Sequence, residues 1–249
     1  LTINEVLNSN SPYPYTSAPA LYTYLIDTVT INGVTQVKAA PEYILDAGQA
    51  LQQEMLKSTK GGIYELAIGF AHNSNEKWYI GATIGIPLIN YESNTVFMES
   101  DTSANTSNHF KQFTYTDNFK TKGTGGNVKI GIIYRPKDYI RLGLAIHTPT
   151  YMFLKDTRTT NLSTAVENPV EFFNVSSQTF TNNQPGEARY IQSSPFKAII
   201  SGSYVFREIQ DVTKQKGFIT ADIEYVHHKG SRFSSDNEEV TEDEKQYYM

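Results

Sequence analysis

The sequence predicts an all-β fold: an antiparallel transmembrane β-barrel carrying one short helix in an extracellular loop. Three observations predict it. Runs of strict two-residue alternation recur along the chain, their connections are alternately short and long, and charged residues stay off the dominant apolar face of each run. A period of two is the signature of a strand. A soluble sandwich has no reason to lengthen every second loop, whereas an outer-membrane barrel has short periplasmic turns and long outer loops. A basic charge on the lipid face would cost roughly 2–4 kcal/mol near the midplane.

The elements follow in order. Residues 1–40 are polar and turn-rich, with Asn32-Gly33 as a hairpin-type turn. Residues 41–59 read as an amphipathic helix: Pro41 opens it, Ile44, Ala47, Leu51 and Met55 form one stripe, and Gly61-Gly62 closes it. Ile63–His72 and Trp78–Tyr91 form a hairpin across Asn73–Lys77. Its apolar positions are Tyr64, Leu66, Ile68 and Phe70, then Ile80, Ala82, Ile84, Ile86 and Leu88. Glu92 to about Lys122 reads as a long polar connection rich in Ser, Thr and Asn.

The most regular stretch is Gly125–Thr150. Val128, Ile130, Ile132 and Tyr134, then Ile140, Leu142, Leu144 and Ile146, line one face. Lys129, Gly131 and Ile133, then Arg141, Gly143, Ala145 and His147, line the other. Arg135-Pro136-Lys137-Asp138 is turn chemistry between them. A second polar connection runs from Lys155 to about Gln192. A last hairpin pairs Phe196–Phe206 with Gly217–His228 through a charged link, placing Asp222 and Glu224 opposite the apolar face. The acidic tail from Lys229 to Met249 reads as a polar loop leading to a further strand.

Composition bounds the function. A net charge of -5 and a pI near 5.6, with no basic cluster, argue against nucleic acid as a partner. Mean hydropathy is -0.41, and no run approaches the ~20 apolar residues of a spanning helix. The absence of cysteine excludes disulfides and thiolate metal sites. Many of the 17 Tyr and 13 Phe, and Trp78, sit near strand ends, as interfacial girdles would. Leu1 is not an initiator Met and no signal peptide follows it, so the chain is expected to be part of something longer.

Several stretches together resemble a family. GGNVKIGIIYRPKDYIRLGLAIHTPT (125–150) is similar to the central signature of the FadL/TodX-type outer-membrane transport proteins, in a branch sometimes labelled hemin receptor. PALYTYLID (19–27), Ser194-Pro195-Phe196 and GFITADIEYVHHKGSRFSS (217–235) extend the resemblance over residues 13 to 235 or so. The resemblance implies a fourteen-stranded barrel plugged by an N-terminal hatch, of which residues 1–249 would be one domain: the central wall, without hatch or C-terminal strands. It implies passive transport of hydrophobic small molecules, long-chain fatty acids or aromatic hydrocarbons, across the outer membrane of a Gram-negative bacterium. Outer-membrane lipid and lipopolysaccharide would surround the protein, and neither enzyme activity nor a cofactor is expected. The alternative is an accessory barrel without transport, serving an outer-membrane protein complex. A soluble β-sandwich enzyme is a third reading.

By resemblance, Ile44, Leu51, Met55 and Leu56, with Leu45 nearby, would line an outer ligand groove on the 41–59 helix; packing of the stripe on neighbouring structure is the rival. Glu65, Lys129, Arg141, His147, Asp222 and Glu224 are read as lumen-facing polar residues that form ion pairs. His147 as a haem or metal ligand is weighed against a structural residue where Pro149 stops the ladder. His227-His228, His72 and His109 show no metal-ligand spacing, so no metal is expected. Gly123-Thr124-Gly125-Gly126 leads into a strand instead of a helix and is no phosphate loop. Ser193-Ser194 lacks a nucleophile-elbow context.

Overall fold

A computed structural model describes residues 3–31, 33–103, 105–106, 108–167, 171–207 and 213–235. The acidic tail beyond 235, Asn32 and most of the charged link after Phe206 lie outside these. The fold is mostly antiparallel β-sheet with little helix. In chain order come α1 (Ile3–Val6), α2 (Ser17–Tyr22), β1 (Ile26–Ile31), β2 (Val34–Ala39) and α3 (Ala40–Asp46). The strands β3 (Leu51–Ser74), β4 (Trp78–Asp101), β5 (Gln112–Lys137), β6 (Ile140–His147) and β7 (Tyr151–Val166) follow. The chain continues through β8 (Glu171–Ser176), β9 (Gly186–Ser193), β10 (Phe196–Arg207), β11 (Gln215–His227) and β12 (Arg232–Ser235).

In the hairpin β1–β2, Ile31 pairs with Val34, and Gly33 between them supplies a φ of 79°. The helix expected over 41–59 is corrected to seven residues. Pro41 opens it as anticipated, and the Glu42 carboxylate accepts the Ala39 N–H at 3.0 Å. Gly48 ends it: at φ 75° its N–H bonds the Leu45 carbonyl while the Gln49 N–H bonds that of Ile44. This paired closure is the usual left-handed exit from a helix. Leu51, Met55 and Leu56 therefore lie on strand β3.

The strands also overrun the expected polar connections. β4 continues to Asp101 and β5 begins at Gln112, so the connection read from Glu92 to Lys122 shrinks to residues 102–111. Likewise β7, β8 and β9 occupy most of 155–192. Along one large sheet β11, β10, β6, β5, β7, β9 and β12 are neighbours. β5 also pairs β4, β4 pairs β3, and β8 pairs β7.

The chain, read as one domain from its sequence, divides into two compact units. The first comprises 1–61, 91–121 and 156–188; the second comprises 62–90, 122–155 and 189–249. The first has an ordinary core. Ile44, Ala40, Phe110, Phe113 and Leu162 form one buried cluster, and Val6, Ala18, Val175 and Phe180 form another. The second differs: among the described residues its one buried large apolar side chain is Leu154.

Candidate functional site

Register in the second unit assigns every side chain of four adjacent strands to a face. On one face Ile132, Leu144, Ile200 and Ile223 stand in a row across β5, β6, β10 and β11. The next rows are Ile130, Ile146, Ala198 and Tyr225 on one side, and Tyr134, Leu142, Gly202 and Ala221 on the other. These rows carry no charge, and most of their large residues are open to the surroundings, with Ile200 at 61% and Ile223 at 73% exposure. Tyr64, Leu66, Ile68 and Phe70 of β3 and Ile80, Ile84, Ile86 and Leu88 of β4 are similarly exposed. Protein surfaces that meet water rarely leave so large an apolar area uncovered. Near the short turns an aromatic band forms: Trp78 stacks on Tyr134 at 4.2 Å, and Tyr204 meets Tyr139 and Phe206 at 5.5 and 5.2 Å.

The opposite face carries the charges and most of the small residues, together with Ile133 and Ile199. Lys129 lies opposite His147, and His147 opposite Lys197. Asp222 stands across from Ser201, and Arg141 across from Ser203. Lys129 Nζ donates to the Glu65 carboxylate at 2.8 Å, which also accepts from Asn127 Nδ2 at 3.2 Å. Lys197 Nζ pairs with Glu224 at 3.0 Å. A Cβ at Gly85 would collide with the Glu65 carboxylate, so glycine there makes room for the pair. The six polar residues picked from the sequence thus share one face; four of them sit in or beside the Glu65–Lys129 and Lys197–Glu224 pairs. Among the described residues no three His, Asp or Glu side chains gather as a metal site.

Next to the Lys129–His147–Lys197 row, the polar face opens into a mostly apolar recess of 550 Å³. Gly81, Gly131, Gly143 and Ala145 floor it, with Ala71, Tyr79, Ile199 and Ser201 around them. The sequence reading missed this recess. Its signal was there in the alternation of small residues on the polar side of each strand, because only side chains smaller than Val leave such space on a sheet face.

The ligand groove expected on the 41–59 helix does not form as a helical stripe. Ile44 is fully buried in the first unit's core, and Leu51 packs partly against that core. Met55 and Leu56 are each 65% exposed on β3. As neighbours along a strand they point to opposite sides of it. Leu45 is exposed as well.

The sheet carries one further device. Thr148-Pro149-Thr150 separates β6 from β7, Ser194-Pro195 separates β9 from β10, and a 3₁₀ turn at His228–Gly230 separates β11 from β12. Hydroxyls replace the missing ladder bonds. Thr148 Oγ1 accepts the Val128 N–H at 2.9 Å, Ser194 Oγ that of Thr150 at 2.8 Å, and Ser193 Oγ that of Arg232 at 2.9 Å. A Cβ on Gly125 would touch Met152, and one on Gly123 would touch Leu154. Even-numbered residues of β7 therefore share the side of odd-numbered β5, reversing the parity of β6. The Thr-Pro-Thr segment inserts one extra residue, as a bulge does. Tyr151 and Phe153 consequently stand on the charge-free side.

Among the described residues no helix is long and apolar enough to cross a membrane, a fact that says nothing about strands. No protein-family model matches the chain, and no curated protein matches it.

Proposed function

We propose that this chain forms part of the wall of an outer-membrane β-barrel of FadL/TodX type, through which hydrophobic small molecules diffuse without energy input. The observation that carries the reading is the exposed, charge-free face running across β5, β6, β10 and β11. Lipid is the solvent that such a face fits, and the opposite face then lines a lumen. β10 and β11, at 12 and 13 residues, exceed the ~9–11 that cross a tilted bilayer. The Trp78, Tyr134, Tyr204 and Phe206 band sits where an interfacial girdle belongs.

Transport needs an apolar place to rest within a polar lumen. The 550 Å³ recess supplies one, of the size of ordinary small-molecule sites. Glu65–Lys129 and Lys197–Glu224 pair off four of the charges near it, while Asp222 stands across from Ser201 at its edge. Long-chain fatty acids or aromatic hydrocarbons are the substrates proposed, moving down their gradient with no covalent step.

The test is uptake into proteoliposomes holding the whole protein, with oleate and naphthalene as probes. Gly131→Leu and Gly81→Leu place a side chain in the recess; a Cβ at either position meets only ordinary contacts, so the wall can still form. The parent should accelerate uptake of at least one probe, and both variants should lose most of that acceleration. A properly inserted parent that moves neither probe would overturn the transport reading and favour an accessory barrel within a larger outer-membrane complex.

A further inference from the structure

Beyond the aligned strand breaks, the charge-free side of the second unit changes character. Tyr151 and Phe153 stand on it at 54% and 58% exposure, joined by Ile191 of β9 at 39%. Two adjoining recesses open here, of 420 Å³ and 390 Å³, sharing Ile191 and Ser234. Phe153, Lys155 and Arg189 line the first; Tyr151, Ser193 and Arg232 line the second. Register sets Ser234 opposite Ile191 and Arg232 opposite Ser193, so these four share one side of β9–β12. Three cations thus rim one aromatic groove in a chain whose net charge is -5. None of the three lies on the charge-free rows of β5, β6, β10 and β11 below them.

We propose that this groove seats a phosphate-bearing lipid headgroup of the surrounding leaflet, with Lys155, Arg189 and Arg232 holding the phosphate oxygens and Tyr151, Phe153 and Ile191 lying along the first part of the acyl chains. The inference rests on the membrane reading above, because only there does this side of the sheet face lipid. Aromatic and basic side chains just past an apolar belt are the chemistry of the headgroup layer. Arginine suits phosphate through its forked donors, and lysine contributes a point charge. Lys155 and Arg189 also engage other groups of the chain, so a phosphate would add to or exchange with those bonds. Among the described residues Arg232 has no carboxylate in ion-pair range, and its backbone is fixed by the Ser193 hydroxyl. The Ser234 hydroxyl offers a further donor in the groove, while that of Ser193 is engaged with the Arg232 backbone.

The experiment is native mass spectrometry of the whole protein in detergent. It is titrated with a bis-phosphorylated lipid A, with the same lipid after phosphatase treatment, and with inorganic phosphate. The variants are a triple Lys155→Gln, Arg189→Gln, Arg232→Gln and a single Arg232→Gln, with Lys60→Gln as a control away from the groove. At about fivefold per cation, the triple variant should bind the phosphorylated lipid about a hundredfold more weakly and the single about fivefold more weakly. The control should match the parent, and both the dephosphorylated lipid and free phosphate should bind poorly throughout. If the single variant, which changes one exposed side chain, and the triple both retain the phosphorylated lipid as the parent does, the inference fails. Equal binding of the dephosphorylated lipid also overturns it. A parent that stays monodisperse without detergent would instead overturn the membrane reading itself.

Discussion

At the scale of single residues, close approach decides more than propensity. Gly125 lies against the Tyr151 carbonyl and Met152 on the neighbouring strand, with no room for a Cβ. Gly125→Ala should destabilise the β5–β7 pairing by about 1–3 kcal/mol, read as a lower unfolding midpoint in detergent. Gly131→Ala, where a Cβ on the same strand meets only an ordinary contact, should leave that midpoint unchanged. Asp101 behaves as a titratable latch on the 102–111 connection. Burial works against its charge, but the Asn108 amide at 2.6 Å and the Ser103 N–H and hydroxyl at 2.7 and 2.8 Å outweigh it and hold its carboxyl below the ordinary range. A depressed carboxylate stabilises the fold above its unfolded pKa, about 4, and that contribution disappears as pH falls through the lower folded value. Amide exchange over residues 101–111 should accelerate on acidification from about pH 5 to 3, and Asp101→Asn should remove most of that pH dependence.

At the scale of elements, α3 and the start of β3 separate two readings of one stretch. Ile44, Ala47, Leu51 and Met55 satisfy a helical period, and nothing in their spacing says where the helix stops. Gly48 does, through a left-handed φ that periodicity cannot register. Ile44→Ser should unfold the first unit's core at a cost of about 2–5 kcal/mol, whereas Met55→Ser should stay within about 0.5 kcal/mol, both measured by chemical denaturation. The alternating strands were legible in the sequence because a period of two is local, and the faces of Val128–Ile146 and Phe196–His228 come out of register as the alternation says. The polar stretches Glu92–Lys122 and Lys155–Gln192 were not. Their Ser, Thr and Asn residues look like loop, but backbone pairing does not depend on apolar side chains, and these segments pair as strands. Pro149 was visible as a ladder break, while its alignment with Pro195 across neighbouring strands depends on a register that no single stretch contains. The recess was not legible: Gly131 and Gly143 were placed on the polar side one by one, but their convergence with Gly81 needed the sheet. On the charge-free face, Ile200→Arg should cost roughly 2–4 kcal/mol in a bilayer, while Ser201→Arg, one residue along and on the opposite face, should be far milder.

At the scale of the whole molecule, the two units bury their apolar residues in opposite ways. The first closes Ile44, Phe110, Phe113 and Leu162 inside itself. The second turns Leu66, Ile84, Ile130, Leu144, Ile200 and Ile223 outward. An outward-facing unit requires a partner for that surface, and bilayer lipid is the partner on which the transport reading, the aromatic band and the headgroup groove all depend. The most direct test places spin labels one at a time at Leu144, Ile200 and Ile223, and at Ala145, Ser201 and Asp222, in the protein reconstituted into liposomes. Collision rates with oxygen, which concentrates in lipid, and with a water-soluble nickel chelate then report each position's surroundings. Labels at 144, 200 and 223 should collide with oxygen and be shielded from the chelate, while labels at 145, 201 and 222 should show the reverse or lower access to both. Free access of the chelate to 144, 200 and 223 would contradict the account.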